Sequence, residues 1–368
     1  MKARENVVEV VALSLFLARR RLRRALLDAC ADAGGDQRRE VDLPRAAARF
    51  RELPPYLRED GRNCRKRAAR LVDIAASGGI EAIAWSDSRY PRQLAALDDP
   101  PPVVWLKGDA AILARPSVAI VGSRAASPYA VAVAERLACD ISGCGVAVVS
   151  GCARGVDAAA HRGALGGEGA TIAVLGSGVD VVYPAEHREL TASIARSGAV
   201  VSELPPGAPP RRHHFPQRNR LISGLARAVV VVEAGARSGS LITARCAAEQ
   251  GREVMAVPGN VLSGRSAGGH ALIRDGAAIV ETADDILEAI GAEPSRAASS
   301  PSAPVAETTD AVLRHMDPGE IYGVDGLIER SGLDGATLLL RLTELEIAGC
   351  VTRAGAGRFV RVRPGMLV

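Results

Sequence analysis

A doubly wound, mainly parallel α/β sheet is the fold class this sequence predicts, and three observations predict it. Between residues 85 and 290, short β-branched runs alternate with Ala-rich helical segments: SVAIV, VAVVS, TIAVLG, AVVS, AVVVVE, EVMAV and AAIVE. Each run ends in a loop of Gly, Ser or Pro, and most are followed by a helix, the texture of repeating β-α units. Hydrophobic residues make up 48% of the 368-residue chain and aromatics only 3%, so the cores are expected to be built from Ala, Val, Leu and Ile. A chain of this length suits two or three domains.

Taken in order, residues 1–84 read as a helical domain. VVEVVALSLFLARRRLRRALLDACADAGG is rich in helix formers and ends in Gly-Gly, and CRKRAARLVDIAASGG repeats the pattern with apolar positions at helical spacing. Residues 85–290 form the α/β domain. Residues 291–310, GAEPSRAASSPSAPVAETTD, read as a disordered linker of Pro, Ala and Ser. In residues 311–368, GEIYGVDGLIERSG and DGATLLLRLTELEIAGC read as two helices joined by a Gly-containing turn, and VTRAGAGRFVRV as a hairpin. Helix-turn-helix followed by a β wing is a winged-helix-like module.

Sheets of this class hold ligands at the carboxyl ends of their strands, where the small-residue loops fall. VAIVGSR delivers Gly122, Ser123 and Arg124 to the start of a helix. Free N–H groups there favour an anion, and the guanidinium adds a two-pronged phosphate grip; the plainer reading is a tight turn with an Arg in solvent. SGCARGVDAAAH repeats the device with Gly151, Arg154 and Gly155. Asp157 and His161, four apart, are expected to make a structural contact beneath that loop rather than a metal site. LGSG offers Gly176, Ser177 and Gly178, but Val181 stands where a dinucleotide fingerprint needs its third glycine, so a phosphate-accommodating turn fits better. EAGARSGSLITA runs from strand to helix through Ser238 and Gly239, and its Glu233 is the best catalytic-acid candidate in the chain. A carboxylate among arginines also serves as an orienting salt-bridge partner.

The stretch HHFPQRNRLISG, residues 213–224, stands out in a chain so poor in rings. Residues 201–252 hold eight arginines against three glutamates, while the whole chain carries +4. Nearly all positive charge is arginine, so only arginines at meaningful positions count; here Arg211, Arg212, Arg218 and Arg220 surround Phe215. A row of phosphate-sized turns with one ring suits a single strand: arginines follow the backbone and a base stacks on the ring. The alternative is a buried Phe215 and a structural Arg220. Seven scattered cysteines without a CxxC pair point to a reducing cytoplasm and away from structural zinc. No run approaches the length of a membrane span, and the arginines at 19–24 follow rather than precede the first apolar run, the wrong order for a secretion signal.

GSR, SGCARGVDAAAH, LGSGVDVVYP, SELPPG, HFPQRNRLISGLARAVVVVEA, RSGSLITARCAAEQGREVMAVPG and GGHALIRDGA resemble, in this order, the DNA-processing protein A family (DprA, also called Smf). YPRQLAALDDPPPVVWLKGD at 90–109 resembles that family's approach to its core domain. The resemblance implies an extended Rossmann-like domain that binds single-stranded DNA without catalysis and needs no cofactor. It implies a cytoplasmic homodimer that protects incoming strands in natural transformation and loads the RecA recombinase. By position, the GSR arginine is Arg124, the DNA pocket holds Arg212 and Phe215, and Arg218, Asn219 and Arg220 form the adjoining RNR motif. Two departures are visible: the first 84 residues lack the Gly-x-Gly hairpin many relatives carry, and Cys152 replaces a small residue.

Two further functions fit parts of the sequence. A phosphoribohydrolase-like nucleotide enzyme would use Glu233 as acid and the Gly-Ser loops for phosphate, but it lacks the PGGxGT loop such enzymes show. A transcription regulator would act through the winged-helix-like module, whose DGATLLLRLTELEIAG carries few base-reading side chains and suits protein contact at least as well.

Overall fold

The seven apolar runs are seven adjacent parallel strands, and two more strands extend their sheet at one edge. The computed structural model describes residues 2–18, 43–53, 55–292, 310–317, 320–348, 350–355 and 357–361. The chain begins with helices α1 (Lys2–Leu17), α2 (Leu43–Arg51) and α3 (Arg58–Ser77), followed by strand β1 (Glu81–Ala84), helix α4 (Arg92–Ala95) and strand β2 (Val103–Gly108). Next come β3 (Ser117–Val121), α5 (Pro128–Gly143), β4 (Ala147–Ser150), α6 (Val156–Gly166), β5 (Thr171–Val174), α7 (Arg188–Ser197) and β6 (Ala199–Ser202). The α/β part closes with α8 (His214–Leu225), β7 (Ala228–Val231), α9 (Ser240–Glu249), β8 (Glu253–Ala256), α10 (Ala267–Arg274), β9 (Ala278–Ile279) and α11 (Ala283–Ala289).

Strand order is β1-β2-β6-β5-β4-β3-β7-β8-β9, with β1 and β2 antiparallel to their neighbours. Period-2 alternation divides the core between two faces. Val118 and Ile120 of β3 pack with Ala130, Ala134, Ala159 and Ala160 of α5 and α6. Ala119 and Val121 pack on the other face with Leu221, Ile222 and Leu225 of α8. Burying each of those three side chains is worth about 1.5–3 kcal/mol, which fixes α8 and therefore the ring of Phe215 at its first turn.

Strands β1 and β2 carry no strand signal in the sequence. EAIA reads as helix, and VVWL is buried on both faces and shows no alternation. Their pairing is also non-local, with Trp105 opposite Ser202. Because β1 begins at Glu81, the sheet starts inside the stretch that composition assigned to the helical domain. That region packs Leu13, Phe16, Phe50 and Ala68 against Trp105 and Val200 of the sheet, so it shares a core with it. Residues 19–42 and most of the linker, 293–309, lie outside the described residues.

The final module has β10 (Ile321–Gly323), α12 (Val324–Ser331), α13 (Gly335–Ile347), β11 (Val351–Arg353) and β12 (Arg358–Arg361) around Leu327, Leu338, Leu342 and Phe359. Gly332 ends α12 at φ +70°, and Asp334 caps α13 by accepting from the N–H groups of Ala336 and Thr337. Among the described residues no helix is long and apolar enough to cross a membrane.

His161 does not meet Asp157. Its Nδ1 lies 2.7 Å from Thr171 Oγ1, fully buried between α6 and β5. Asp157 instead accepts from the Ala153 N–H at 3.3 Å. Burial drives the His161 pKa down to about 3 from 6.5. The folded state keeps it neutral, while the unfolded chain takes up a proton below pH 6.5. Its contribution is therefore complete above pH 6.5 and is lost as pH falls from 6.5 towards 3, at about 1.4 kcal/mol per unit. Urea midpoints compared at pH 7 and pH 5 are expected to differ less in His161→Asn than in the wild type; an unchanged difference would show that His161 is not the group responsible.

Candidate functional site

From β3 the chain proceeds through β4 and β5 on one side, and it later returns to place β7 on the other. The loops after β3 and β7 diverge at this switch point and open a crevice at the strands' carboxyl ends. A cavity of about 760 Å³ lies there. Its walls come from the β3 loop (Gly122, Ser123, Arg124), the β7 loop (Ser238, Gly239), Arg212 just before α8 and the first turns of α8 (Phe215, Arg218, Asn219), and Tyr183 and Arg237. Nine residues expected from the sequence thus converge on one cavity.

Phe215 is half-buried and sits in an aromatic and cationic cluster. Its ring lies 5.4 Å from that of Tyr183, and the Arg124 guanidinium stands 5.5 Å above it. Gly176 lies behind the ring, where a Cβ would come within 3.0 Å of it. Arg124, Arg212 and Arg237 are exposed around the mouth, and among the described residues none of them is ion-paired. The sequence reading passed over Tyr183 and Arg237. Arg237 had a signal: GAR follows its strand just as GSR and CAR follow theirs. Tyr183 had none, because its proximity to Phe215 joins a loop to the first turn of α8, 32 positions apart.

Arg218 is a structural tie rather than a free cation. It is buried, and its guanidinium donates to the carbonyl oxygens of Gly151, at 2.7 Å, and of Val174. Burial pulls its pKa down, with the Asp157 carboxylate opposing. Asp157 is pushed up by its own burial, with Arg218 opposing. Gly151 is required because a Cβ there would overlap the Arg218 guanidinium. Asn219 donates from Nδ2 to the Gly239 carbonyl at 3.4 Å, linking α8 to the β7 loop.

Other expected residues stand elsewhere. Arg220 turns away from the cavity to Glu203 at 2.5 Å and Asp99 at 3.8 Å, the structural alternative for this side chain. Burial pushes the Glu203 carboxyl up, and Arg220 works against that shift. Arg154 does not line the cavity either; it is held by Glu186 at 2.6 and 2.9 Å. Gly155, at φ +73°, lets its loop touch the β3 loop: the Val156 N–H donates to the Ser123 carbonyl at 3.2 Å, and a Cβ on Gly155 would overlap that oxygen. Ser177 donates to the Val181 carbonyl at 2.7 Å, and the Gly178 N–H donates to Ala208 at 2.9 Å. In these turns the Arg154 guanidinium, the Ser177 hydroxyl and the Gly178 N–H are engaged with protein.

Glu233 is not placed as a catalytic acid. Its buried carboxylate accepts from Ser127 Oγ at 2.6 Å and from the Ser127 N–H at 3.2 Å, with Arg265 4.0 Å away, and it does not line the cavity. Its backbone carbonyl accepts from the Ser123 N–H at 2.7 Å. Glu233 is a brace for the loop that carries Arg124. Among the described residues no group of three or more His, Cys, Asp or Glu is placed to hold a metal ion.

The family model described as DNA recombination-mediator protein A matches residues 81–291. The chain belongs to this family, DprA/Smf. A second model, the DprA winged helix domain, matches residues 296–357. Protein Smf of Escherichia coli (strain K12) is 42% identical over 284 residues, covering 74% of this chain and 75% of that protein. The DNA processing protein DprA of Streptococcus pneumoniae is 45% identical over 201 residues, 55% of this chain and 71% of that one. The X-ray structure of the S. pneumoniae DprA superposes with a TM-score of 0.57 at 33% identity, covering 78% of this chain and 95% of that one. DNA processing protein A from Helicobacter pylori, described by its single-stranded DNA binding mode, superposes at 0.52 with 28% identity over 57% and 94%.

Proposed function

We propose that this DprA/Smf protein binds single-stranded DNA in the switch-point cavity and catalyses no reaction on it. The observation that carries the reading is the convergence of Phe215, Tyr183 and three unpaired exposed arginines on one crevice. Rings stack on bases of any kind, and guanidinium groups follow phosphates. The H. pylori relative, described as binding single-stranded DNA, supports the same ligand. In this reading the protein, as a cytoplasmic homodimer, shields single strands and passes them to RecA in transformation or recombination. The placement of Glu233 as a brace argues against the nucleotide-enzyme alternative. In the winged-helix module, residues 311–368, seven carboxylates balance seven arginines, and α13 exposes Leu339, Leu340 and Ile347, which favours protein contact over duplex recognition.

Anisotropy titrations with labelled oligothymidylate and with duplex test this directly. The single strand is expected to bind tighter, with log K falling against log salt at a slope of about −2, as neutralising three phosphates on a single strand requires. RecA filament formation on the same strand is expected to speed up when the protein is added. Equal affinity for duplex, or glycosidic cleavage of a nucleoside monophosphate, would overturn the proposal.

A further inference from the structure

A second basic surface lies outside the cavity. Residues 43–73 hold nine basic and four acidic side chains, an excess larger than that of the whole chain. On α3, Arg62, Lys66 and Arg70 fall at i, i+4 and i+8 and are all exposed. Among the described residues, none of the three has an ion-pair partner. Like charges at this spacing weaken the helix that bears them, so the line is not there for helix stability. Arg65, one position away from it, is the structural cation: it pairs with Glu9 at 2.9 Å, donates to the Phe50 carbonyl at 2.9 Å and covers the Phe50 ring, locking α1, α2 and α3 together.

We infer that this stripe of α3 is a second, base-independent contact for the phosphates of the strand that leaves the cavity. This rests on the single-strand reading above. Successive cations rise about 6 Å along the helix, a ladder on which consecutive phosphates of an extended strand can lie. No aromatic residue stands on the stripe, so it grips backbone and reads no base. An anionic membrane fits less well: the opposite side of α3, Gly61, Cys64, Ala68 and Ala75, is buried in the protein, leaving no apolar face to enter lipid. α3 packs at the β1 edge, five strands from β3, about 25 Å across the sheet from the cavity. Only strands longer than the cavity's own ligand reach both.

The test compares the full chain with its R62Q/K66Q/R70Q variant on oligothymidylates of about 6 and about 40 nucleotides, one within and one well beyond the usual span of one binding fold. The variant is expected to lose at least fivefold affinity for the long strand at low salt. Its salt slope should become shallower by about 2, while the short strand binds as before. R62K/R70K should retain long-strand affinity, and the thermal midpoint of the glutamine variant should not fall, because all three side chains are in solvent and their removal relieves like-charge repulsion. Wild-type affinity and slope in the glutamine variant would overturn the inference. So would a loss confined to duplex or to phosphatidylserine vesicles. Failure of the wild type to bind the short strand would count against the cavity alone, and α3 would still be judged on the long one.

Discussion

Phe215→Ala is expected to lower single-strand affinity by about 5- to 150-fold, the equivalent of about 1–3 kcal/mol for one base stacked on one ring. The variant should remain folded, because Phe215 belongs to none of the buried clusters and its ring is half-exposed. Arg124→Ala removes both a phosphate partner and the guanidinium above that ring. Its loss and that of Phe215→Ala should therefore be less than additive in the double variant, as neighbours in contact behave. Affinities by anisotropy and thermal midpoints of the four proteins make the check. Unchanged binding in both single variants would remove the cavity from consideration.

Arg218→Ala is expected to act on stability rather than on contact with DNA. The substitution strips two buried carbonyl oxygens of their donor and leaves the Asp157 carboxylate without its strongest opposing charge. Removing one member of a buried charged arrangement costs on the order of 3 kcal/mol, a large share of an ordinary domain's stability. The thermal midpoint should fall by roughly 6–12 °C. Lysine should not restore it: both bonds come from Nη1 at the tip of the guanidinium, and the more strongly hydrated ammonium costs more to bury. A stable Arg218→Ala protein that has lost only affinity would return Arg218 to the role the RNR motif implied.

The contrast between Arg212, Arg218 and Arg220 shows where sequence reading stops. All three lie within nine residues and look alike as cationic neighbours of Phe215. Arg212, in the turn before α8, faces the cavity mouth, whereas on α8 Arg218 points to the ends of β4 and β5 and Arg220 to Glu203. Helical rotation separates Arg218 from Arg220, but their partners lie 17 to 121 positions away, and no local pattern carries that information. The Gly-rich loops mislead for a related reason. A glycine that admits a phosphate and one that admits another loop need the same absence of Cβ, and Gly155 and Gly178 are of the second kind.

From the sequence by itself came the seven parallel strands, the helix-and-wing module and the rim on which a ligand would sit. Strand runs ending in small-residue loops are local features, and the handed, parallel winding of β-α units follows from them. Tertiary structure alone decided that β1 and β2 extend the sheet, that Tyr183 joins Phe215, and that Glu233 braces a loop instead of facing the cavity. Each depends on side chains brought together from distant positions, where the burial of one group sets the environment of another.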